Sequence, residues 1–264
     1  MAEPRTKPSS DVGARAPAAP LICVASHKGG VGKSTLAWNL AGPLGALLVD
    51  LDWDRGGISY DWSARPPKGS PLSDAFEAGS AALEEGAPLK PPRVRHRQGF
   101  PDIVRSDPDV ATLDMAEDEV GDLLTAWTAE WGRPVVADTH PGGGHALLRG
   151  AIRAADLVLV PVQLAVRDIR SLEGMFEELA GAPLLVVPYL VPRPEPLRLI
   201  DRLQEVTSAA RVPTTPVVHR YPWMQRRLTR HRPLTMEPHP GRAVQQAAHE
   251  FIAVAEEVSR WLNR

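Results

Sequence analysis

Three scarcities in this chain of 264 residues narrow the classes of protein it can belong to. Cys23 is the single cysteine, so an intramolecular disulfide is excluded and a reducing compartment is favoured. No apolar run approaches the roughly 18 residues of a membrane-spanning helix, and the first residues lack the apolar core of a signal peptide. Aromatic residues are few, at 5%, whereas proline is frequent, with 27 residues. The composition is otherwise that of an ordinary globular protein.

Charge is nearly balanced over the whole chain but unevenly distributed along it. Residues 1–189 carry 25 acidic and 18 basic side chains, whereas residues 190–242 carry 4 acidic and 10 basic ones. Five arginines cluster there beside two aromatic residues, namely Arg220, Arg226, Arg227, Arg230 and Arg232 beside Tyr221 and Trp223. Such a segment favours sequence-independent contacts with nucleic-acid phosphates. A solvated face with local ion pairs is the alternative interpretation of the same arginines.

The order of apolar segments predicts an α/β fold. Residues 1–20 are rich in proline, alanine and serine without periodicity and are predicted to be a disordered tail, followed by one domain over residues 21–264. Within that domain, apolar strands alternate with helical segments, which predicts a mostly parallel sheet with helices on both faces, a three-layer sandwich. The last short strand is predicted at residues 212–218 and the last helix at residues 243–262. Residues 63–98 look irregular.

The most informative motif is KGGVGKST at residues 28–35, which lies between an apolar strand and a helical segment. Strand, glycine loop and helix form the context of a phosphate-binding loop, whose backbone N–H groups surround an anion. Lys33 is expected to reach the β- and γ-phosphates of ATP, and Ser34 to ligate Mg²⁺. The predicted nucleotide-binding residues are Lys28, Gly29, Gly30, Val31, Gly32, Lys33, Ser34 and Thr35. A tight turn that merely needs glycine would not also require the Lys-Ser pair.

Carboxylates follow two other predicted strands. Asp50 and Asp52 end the second strand, and Asp138 ends the apolar run that precedes a glycine-rich loop. Because ligands bind beyond the carboxyl ends of parallel strands, these side chains are expected to face the phosphate site. Asp138 has the Walker B arrangement, in which the carboxylate holds Mg²⁺ directly or through water. His140 can be interpreted as a general base or, preferably, as a loop histidine.

The phosphate loop departs from the standard pattern in one respect. The first glycine of G-x-x-x-x-G-K-[ST] falls at His27, and a second lysine, Lys28, follows it. The resulting K-G-G-x-G-K-[ST] resembles the deviant Walker A motif of the ParA/MinD ATPases. In that family the early lysine reaches the partner's phosphates across a nucleotide-sandwiched dimer, which implies this role for Lys28. A solvated loop lysine is the alternative.

Further motifs extend the resemblance over about residues 21–262. The stretch D-L-D-W-D-R-G is similar to the family's D-x-D-P-Q-G, whose second aspartate positions the attacking water, so this role is implied for Asp52. Trp53 and Arg55 replace the family's proline and glutamine, and His140 replaces a proline of D-T-P-P-G. The catalytic residues that the resemblance implies are therefore Lys28, Lys33 and Asp52. Asp54 is left outside this set.

The resemblance is to small ParA partition ATPases without an N-terminal helix-turn-helix domain. It implies ATP and Mg²⁺ as cofactors, an ATP-dependent homodimer, nonspecific DNA held by C-terminal basic residues, and slow hydrolysis stimulated by a ParB-like or other adaptor. It further implies a cytoplasmic, nucleoid-associated protein without membrane contact. The cargo, whether plasmid, chromosome or another body, is left open.

Two other functions use the same loop. A MinD-like membrane-associated positioning ATPase needs a terminal amphipathic helix with a basic polar face, whereas the last helix here carries acids. An ATP-dependent metabolic enzyme of the same superfamily is the other alternative. A bridging iron–sulfur cluster is disfavoured, because Cys23 lies within the first strand.

Overall fold

In a computed structural model, the structure describes residues 19–54, 57–61, 72–224 and 231–264. Its strands are β1 (Leu21–Val24), β2 (Leu47–Leu51), β3 (Ile103–Val104), β4 (Val135–Thr139), β5 (Leu157–Val162), β6 (Leu184–Val191) and β7 (Val218–His219). Its helices are α1 (Lys33–Ala41), α2 (Ile58–Asp61), α3 (Ser73–Glu85), α4 (Glu117–Trp131), α5 (Ala146–Ala154), α6 (Val166–Glu178), α7 (Leu197–Ala209) and α8 (Arg242–Leu262). None of these helices has the length and apolar character needed to cross a bilayer.

The described strands form one parallel sheet in the order β3-β2-β4-β1-β5-β6-β7. The chain runs from β1 outward to β2 and β3, returns through β4 to the side of β1, and then continues outward through β5. The order therefore reverses around β1 and β4, and a crevice opens beyond their carboxyl ends. That crevice is where the phosphate loop and the carboxylates of β2 and β4 are located. The α/β sandwich predicted from the sequence is confirmed.

Strand alternation divides the interior into two cores. Leu21 and Cys23 of β1 pack into a first core with helices α3, α4, α5, α6 and α7. Ile22 and Val24 pack on the other side into a second core with α1 and α8. Because successive strand residues point to opposite faces, continuous apolar strands are what a sheet covered on both sides requires.

Two predictions about local structure are wrong. The last strand was expected at residues 212–218, but β7 comprises only Val218–His219, and Thr214 contributes one isolated bridge to Val186. Two prolines, Pro213 and Pro216, lack N–H donors, which prevents a continuous ladder. The irregular segment at residues 63–98 in fact contains α3, which buries Phe76 beside Trp127. Residues 1–18, most of the predicted tail, lie outside the described residues.

Candidate functional site

The phosphate loop joins β1 to α1 at the carboxyl edge of the sheet. Gly30 and Gly32 have φ values of 73° and 97°, in the left-handed region that favours glycine. The ring of Tyr189, from β6, lies against Gly32 and is 1% exposed. Burial raises the pKa of Tyr189, although a hydrogen bond with the Thr35 side chain opposes this. Tyr189 therefore supports the loop from the neighbouring strand, a role that the sequence pattern did not indicate.

Alanine at position 32 is expected to destabilise the loop more than alanine at position 30. A Cβ at position 32 would lie 2.2 Å from Cε1 of Tyr189, whereas a Cβ at position 30 would meet nothing within 4 Å. Both changes force a positive φ, at a cost of about 1 kcal/mol or more, but only Gly32→Ala adds overpacking of about 1–3 kcal/mol. Thermal unfolding of both variants measures the difference. Equal destabilisation would show that Tyr189 does not constrain the loop.

Lys33 is the first residue of α1 and is buried among carboxylates. Its exposed fraction is 5%, and its Nζ lies 3.5 Å from the carbonyl oxygen of Lys28. Burial lowers the pKa of Lys33, whereas the charges of Asp138 and Asp52 oppose that shift. Among the described residues, this ammonium makes one hydrogen bond, a long contact to a carbonyl, and it is therefore suited to bind an anionic ligand.

Asp138 lies opposite Val24 of β1 and Asp50 of β2 in the sheet register. It is fully buried, and neither carboxylate oxygen has a hydrogen-bond partner among the described residues. Burial, followed by the charge of Asp50, raises the pKa of Asp138 well above its usual value, although the Ser34 side chain and Lys33 lower it. A buried carboxyl without a partner beside a hydroxyl is a donor set that fits Mg²⁺, which prefers oxygen ligands.

Asp50 holds the chain that follows β2. Its carboxylate accepts hydrogen bonds from the Ser59 backbone N–H at 2.7 Å, the Ser59 hydroxyl at 2.5 Å and the Asp52 N–H at 3.1 Å. Burial raises the pKa of Asp50 to about 7, although the hydrogen bonds from Ser59 lower it. Asp50 therefore fixes the start of α2 and the position of Asp52.

Asp52 forms a hydrogen bond with His140, a histidine that the sequence analysis did not place in the site. Its Oδ1 lies 2.9 Å from Nδ1 of His140 and accepts the Asp54 N–H at 3.0 Å. The imidazole stacks on Trp53, with ring centroids 4.0 Å apart and an interplanar angle of 18°. The preferred interpretation of His140 as a loop histidine missed this contact. The available signal was that Trp53 and His140 both stand where the family has proline.

Lys28 contacts residues of its own chain through both its side chain and its backbone. Its Nζ forms an ion pair with Asp168 of α6, and its backbone N–H donates to the Ser26 hydroxyl at 3.2 Å. The neighbouring Gln163 side chain donates to the carbonyl of Gly30 at 3.3 Å. Asp168 therefore determines where the Lys28 ammonium rests in a single chain.

The predicted DNA-binding arginines are described only in part. Arg220 is exposed and Arg232 is half-buried, whereas Arg226, Arg227 and Arg230 lie outside the described residues. Both flanks of that gap are anchored. On one side, the Tyr221 hydroxyl donates to Glu250 of α8 at 2.8 Å. On the other, the Leu234 N–H donates to Asn39 of α1 at 2.7 Å. The flank that follows the gap is thus attached to the helix that starts at the phosphate loop.

Solved structures share this fold over nearly the whole chain. They include an McdA variant from Cyanothece in complex with ATP (TM-score 0.67, 17% identity, 93% of this chain and 97% of that one). MinD from Aquifex aeolicus has a TM-score of 0.65 at 18% identity, covering 92% of this chain and 97% of that one. Cobyrinic acid a,c-diamide synthase from Mycobacterium smegmatis, bound to an ATP analogue and magnesium, has a TM-score of 0.64 at 19% identity, with coverages of 92% and 94%.

Similarity in sequence identifies the family of this chain more specifically than the shared fold does. The chain is 30% identical over 165 residues to the chromosome partitioning protein ParA of Myxococcus xanthus strain DK1622. The match spans 59% of this chain and about half, 55%, of that relative's length. Residues 22–234 match the CobQ/CobB/MinD/ParA nucleotide binding domain, so the match includes the phosphate loop and all three carboxylates. The chain therefore belongs to the CobQ/CobB/MinD/ParA family of nucleotide-binding domains.

Proposed function

We propose that this chain is an ATP-hydrolysing partition protein that forms an ATP-dependent dimer on nonspecific DNA. The observation that carries the ATPase proposal is the buried Asp138 carboxyl, which has no partner among the described residues, beside Lys33 and Ser34 at the phosphate loop. Such a group destabilises a protein unless a ligand compensates for it. The partition proposal is supported by the name of the M. xanthus relative.

The nucleotide would be held by the N–H groups of residues 28–35 and the positive end of α1. Lys33 would offset the charge of the β- and γ-phosphates, and Ser34 and Asp138 would hold Mg²⁺. When bound, Mg²⁺ neutralises charge that develops on the phosphate oxygens. Tyr189 would keep the loop in place while the phosphates bind, because its buried ring supports Gly32.

Asp52 is the proposed residue that orients the attacking water. Its exposed fraction is 8%, and one of its oxygens is already bonded to His140 and the Asp54 N–H. Those two contacts restrict rotation of the carboxylate, so the water would meet an acceptor of defined direction. Lys28, released from Asp168, would contribute its charge to the nucleotide of the partner subunit. Hydrolysis is proposed to be slow until a ParB-like or other adaptor binds.

In this mechanism the dimer is the DNA-binding form, because one subunit offers few basic contacts on a chain of net charge −2. The proposed contacts include Arg220, Arg226, Arg227, Arg230 and Arg232. The protein would then be cytoplasmic and associated with the nucleoid while ATP is bound, and it would release DNA after hydrolysis.

Dimer formation tests the proposed role of Lys28. In an Asp52→Ala background that blocks hydrolysis, ATP is expected to convert a monomer into a dimer, whereas Lys28→Ala added to that background should stay monomeric with ATP bound. The physical reason is that the sandwich loses one positive charge at each phosphate group. Light scattering with and without ATP measures both masses.

Lys90→Ala, which removes an exposed lysine outside the phosphate loop, is the control and should still dimerise. An unchanged mass of the parent variant with ATP would contradict the sandwich mechanism. If the Lys28→Ala variant still forms a dimer, Lys28 does not act across the dimer, and its role is limited to the ion pair with Asp168.

A further inference from the structure

A second basic segment lies at the edge of the sheet, outside the C-terminal cluster. Lys90, Arg93, Arg95 and Arg97 are exposed. This segment is positioned by backbone pairing, because the Arg95 N–H donates to the Ile103 carbonyl at 2.7 Å and the Ile103 N–H to the Arg95 carbonyl at 3.0 Å. Because β3 is the outermost strand of the sheet, the segment covers that edge with arginines.

Alternation places these arginines on one face. Arg95 pairs with Ile103, which belongs to the second core, whereas Val94 packs against the first core. Side chains two residues apart share a face, so Arg93, Arg95 and Arg97 project on the side of α1 and α8. His96 takes the opposite side, where its Nδ1 lies 2.8 Å from Asp102. Asp102 therefore lies on the opposite face of the segment from the three arginines.

Phe100 joins this segment to the C-terminal cluster. The Arg97 guanidinium carbon lies 3.9 Å from the centroid of the Phe100 ring, and that of Arg232 lies 5.9 Å away. The Arg232 side chain lies directly over Gly99, where an added Cβ would approach its Cζ to 2.6 Å. Trp38 of α1 supports the same ring, with centroids 6.2 Å apart. Two segments far apart in sequence thus present their guanidinium groups around one aromatic ring.

The charge of this surface is not balanced by carboxylates of the segment itself. No ion pair involves Arg93, Arg95 or Arg97 in the part of the chain that the structure describes. Asp102, the acidic residue that follows the segment, pairs with His96 and with Arg133, each at 2.8 Å. Burial lowers the pKa of the Arg105 guanidinium, and the like charge of Arg95 adds to this shift. Like charges placed together on an exposed face indicate a site for an anionic partner.

We propose that Arg93, Arg95, Arg97 and Arg232, the arginine strip, bind the phosphate backbone of double-stranded DNA. This inference rests on the proposed function and adds a surface contributed by the segment before β3. Guanidinium groups bind phosphate oxygens through two parallel hydrogen bonds, and the Phe100 ring restricts the orientation of two of them. A membrane is disfavoured, because the large apolar side chains that are exposed among the described residues, Leu83, Val166 and Leu197, lie outside the strip.

The test compares two variants that lose the same charge. The strip variant is Arg93→Gln/Arg95→Gln/Arg97→Gln, and the control is Arg153→Gln/Arg202→Gln/Arg260→Gln, which changes exposed arginines on α5, α7 and α8. Fluorescence anisotropy of a labelled duplex of arbitrary sequence, with ATP and at several salt concentrations, measures binding. The strip variant should bind on the order of tenfold more weakly, and its log–log salt slope should fall by about 0.9 for each phosphate that the variant no longer neutralises. The control should keep the slope of the unmodified protein.

The other outcomes separate this inference from the proposed function. If the unmodified protein with ATP does not bind the duplex, both fail. A second outcome is that the unmodified protein binds the duplex, the strip variant binds as well as the control, and Arg226→Ala/Arg227→Ala/Arg230→Ala loses binding. In that case only the inference about the arginine strip is wrong. Loss of binding to vesicles of anionic phospholipid, with duplex binding intact, would assign the strip to a membrane and overturn the inference. Unchanged thermal unfolding and ATP binding verify the fold of each variant. Single Arg→Gln changes replace the triple variant if it unfolds.

Discussion

Lys33→Ala is expected to weaken ATP binding at least about 100-fold. The reason is that several phosphate oxygens would each lose a hydrogen bond from the Lys33 ammonium, and a hydrogen bond to a charged group contributes about 1.5–3 kcal/mol. The backbone N–H groups of the loop remain, but they cannot supply a full positive charge in a site that also contains Asp52 and Asp138. Isothermal titration calorimetry with ATP and Mg²⁺ measures the loss.

Lys90→Ala is the matched control for this experiment, because it removes a lysine that is exposed and outside the loop. Its affinity for ATP should equal that of the unmodified protein. Equal affinity of Lys33→Ala and Lys90→Ala for ATP would refute the assignment of residues 28–35 as the phosphate site.

Asp138→Asn is expected to stabilise the ligand-free protein while reducing ATP turnover in the presence of Mg²⁺ by a factor on the order of 100 or more. The gain follows from removal of a buried carboxylate that has no hydrogen-bond partner among the described residues, a change that contributes about 1–3 kcal/mol to the free energy of unfolding. The loss follows because an amide oxygen carries no net charge to hold Mg²⁺. Chemical denaturation without ligand and a phosphate-release assay measure the two effects.

The stability gain has a defined pH dependence. The pKa of Asp138 is raised in the folded protein, so the cost of its charge is present at high pH and disappears as the pH falls below the unfolded value near 3.8. Asp138→Asn should therefore stabilise the protein strongly at pH 8 and little near pH 4. Asp74→Asn, a change at an exposed position at the start of α3, should alter stability by less than about 0.5 kcal/mol at either pH. A stability gain that is the same at both pH values would show that packing, and not charge, is responsible.

Stability and ligand binding thus oppose each other at this site. Lys33 is buried, and the buried Asp138 carboxyl has no hydrogen-bond partner among the described residues. Each feature costs stability in the ligand-free chain, and each becomes favourable when an anion and a cation bind together.

Local patterns in the sequence predicted the fold, and they predicted which residues lie at the centre of the candidate site. Apolar runs alternating with helical segments predicted the covered parallel sheet, because burial on both faces leaves little room for polar side chains. The KGGVGKST motif and the strand-end position of Asp138 predicted the loop and the carboxylate at its side, because both depend on a strand followed directly by a loop. These inferences need only the order of residues along short stretches.

Contacts between distant segments could be decided only by the tertiary structure. The bonding of His140 to Asp52, the support of Gly32 by Tyr189, and the ion pair of Lys28 with Asp168 each join different elements. The same holds for Phe100, which brings Arg97 beside Arg232, although the sequence had suggested only the C-terminal arginines. The physical reason is that strand order in the sheet determines which loops meet. Spacing along the chain carries information about faces and turns, but not about which strand lies beside which.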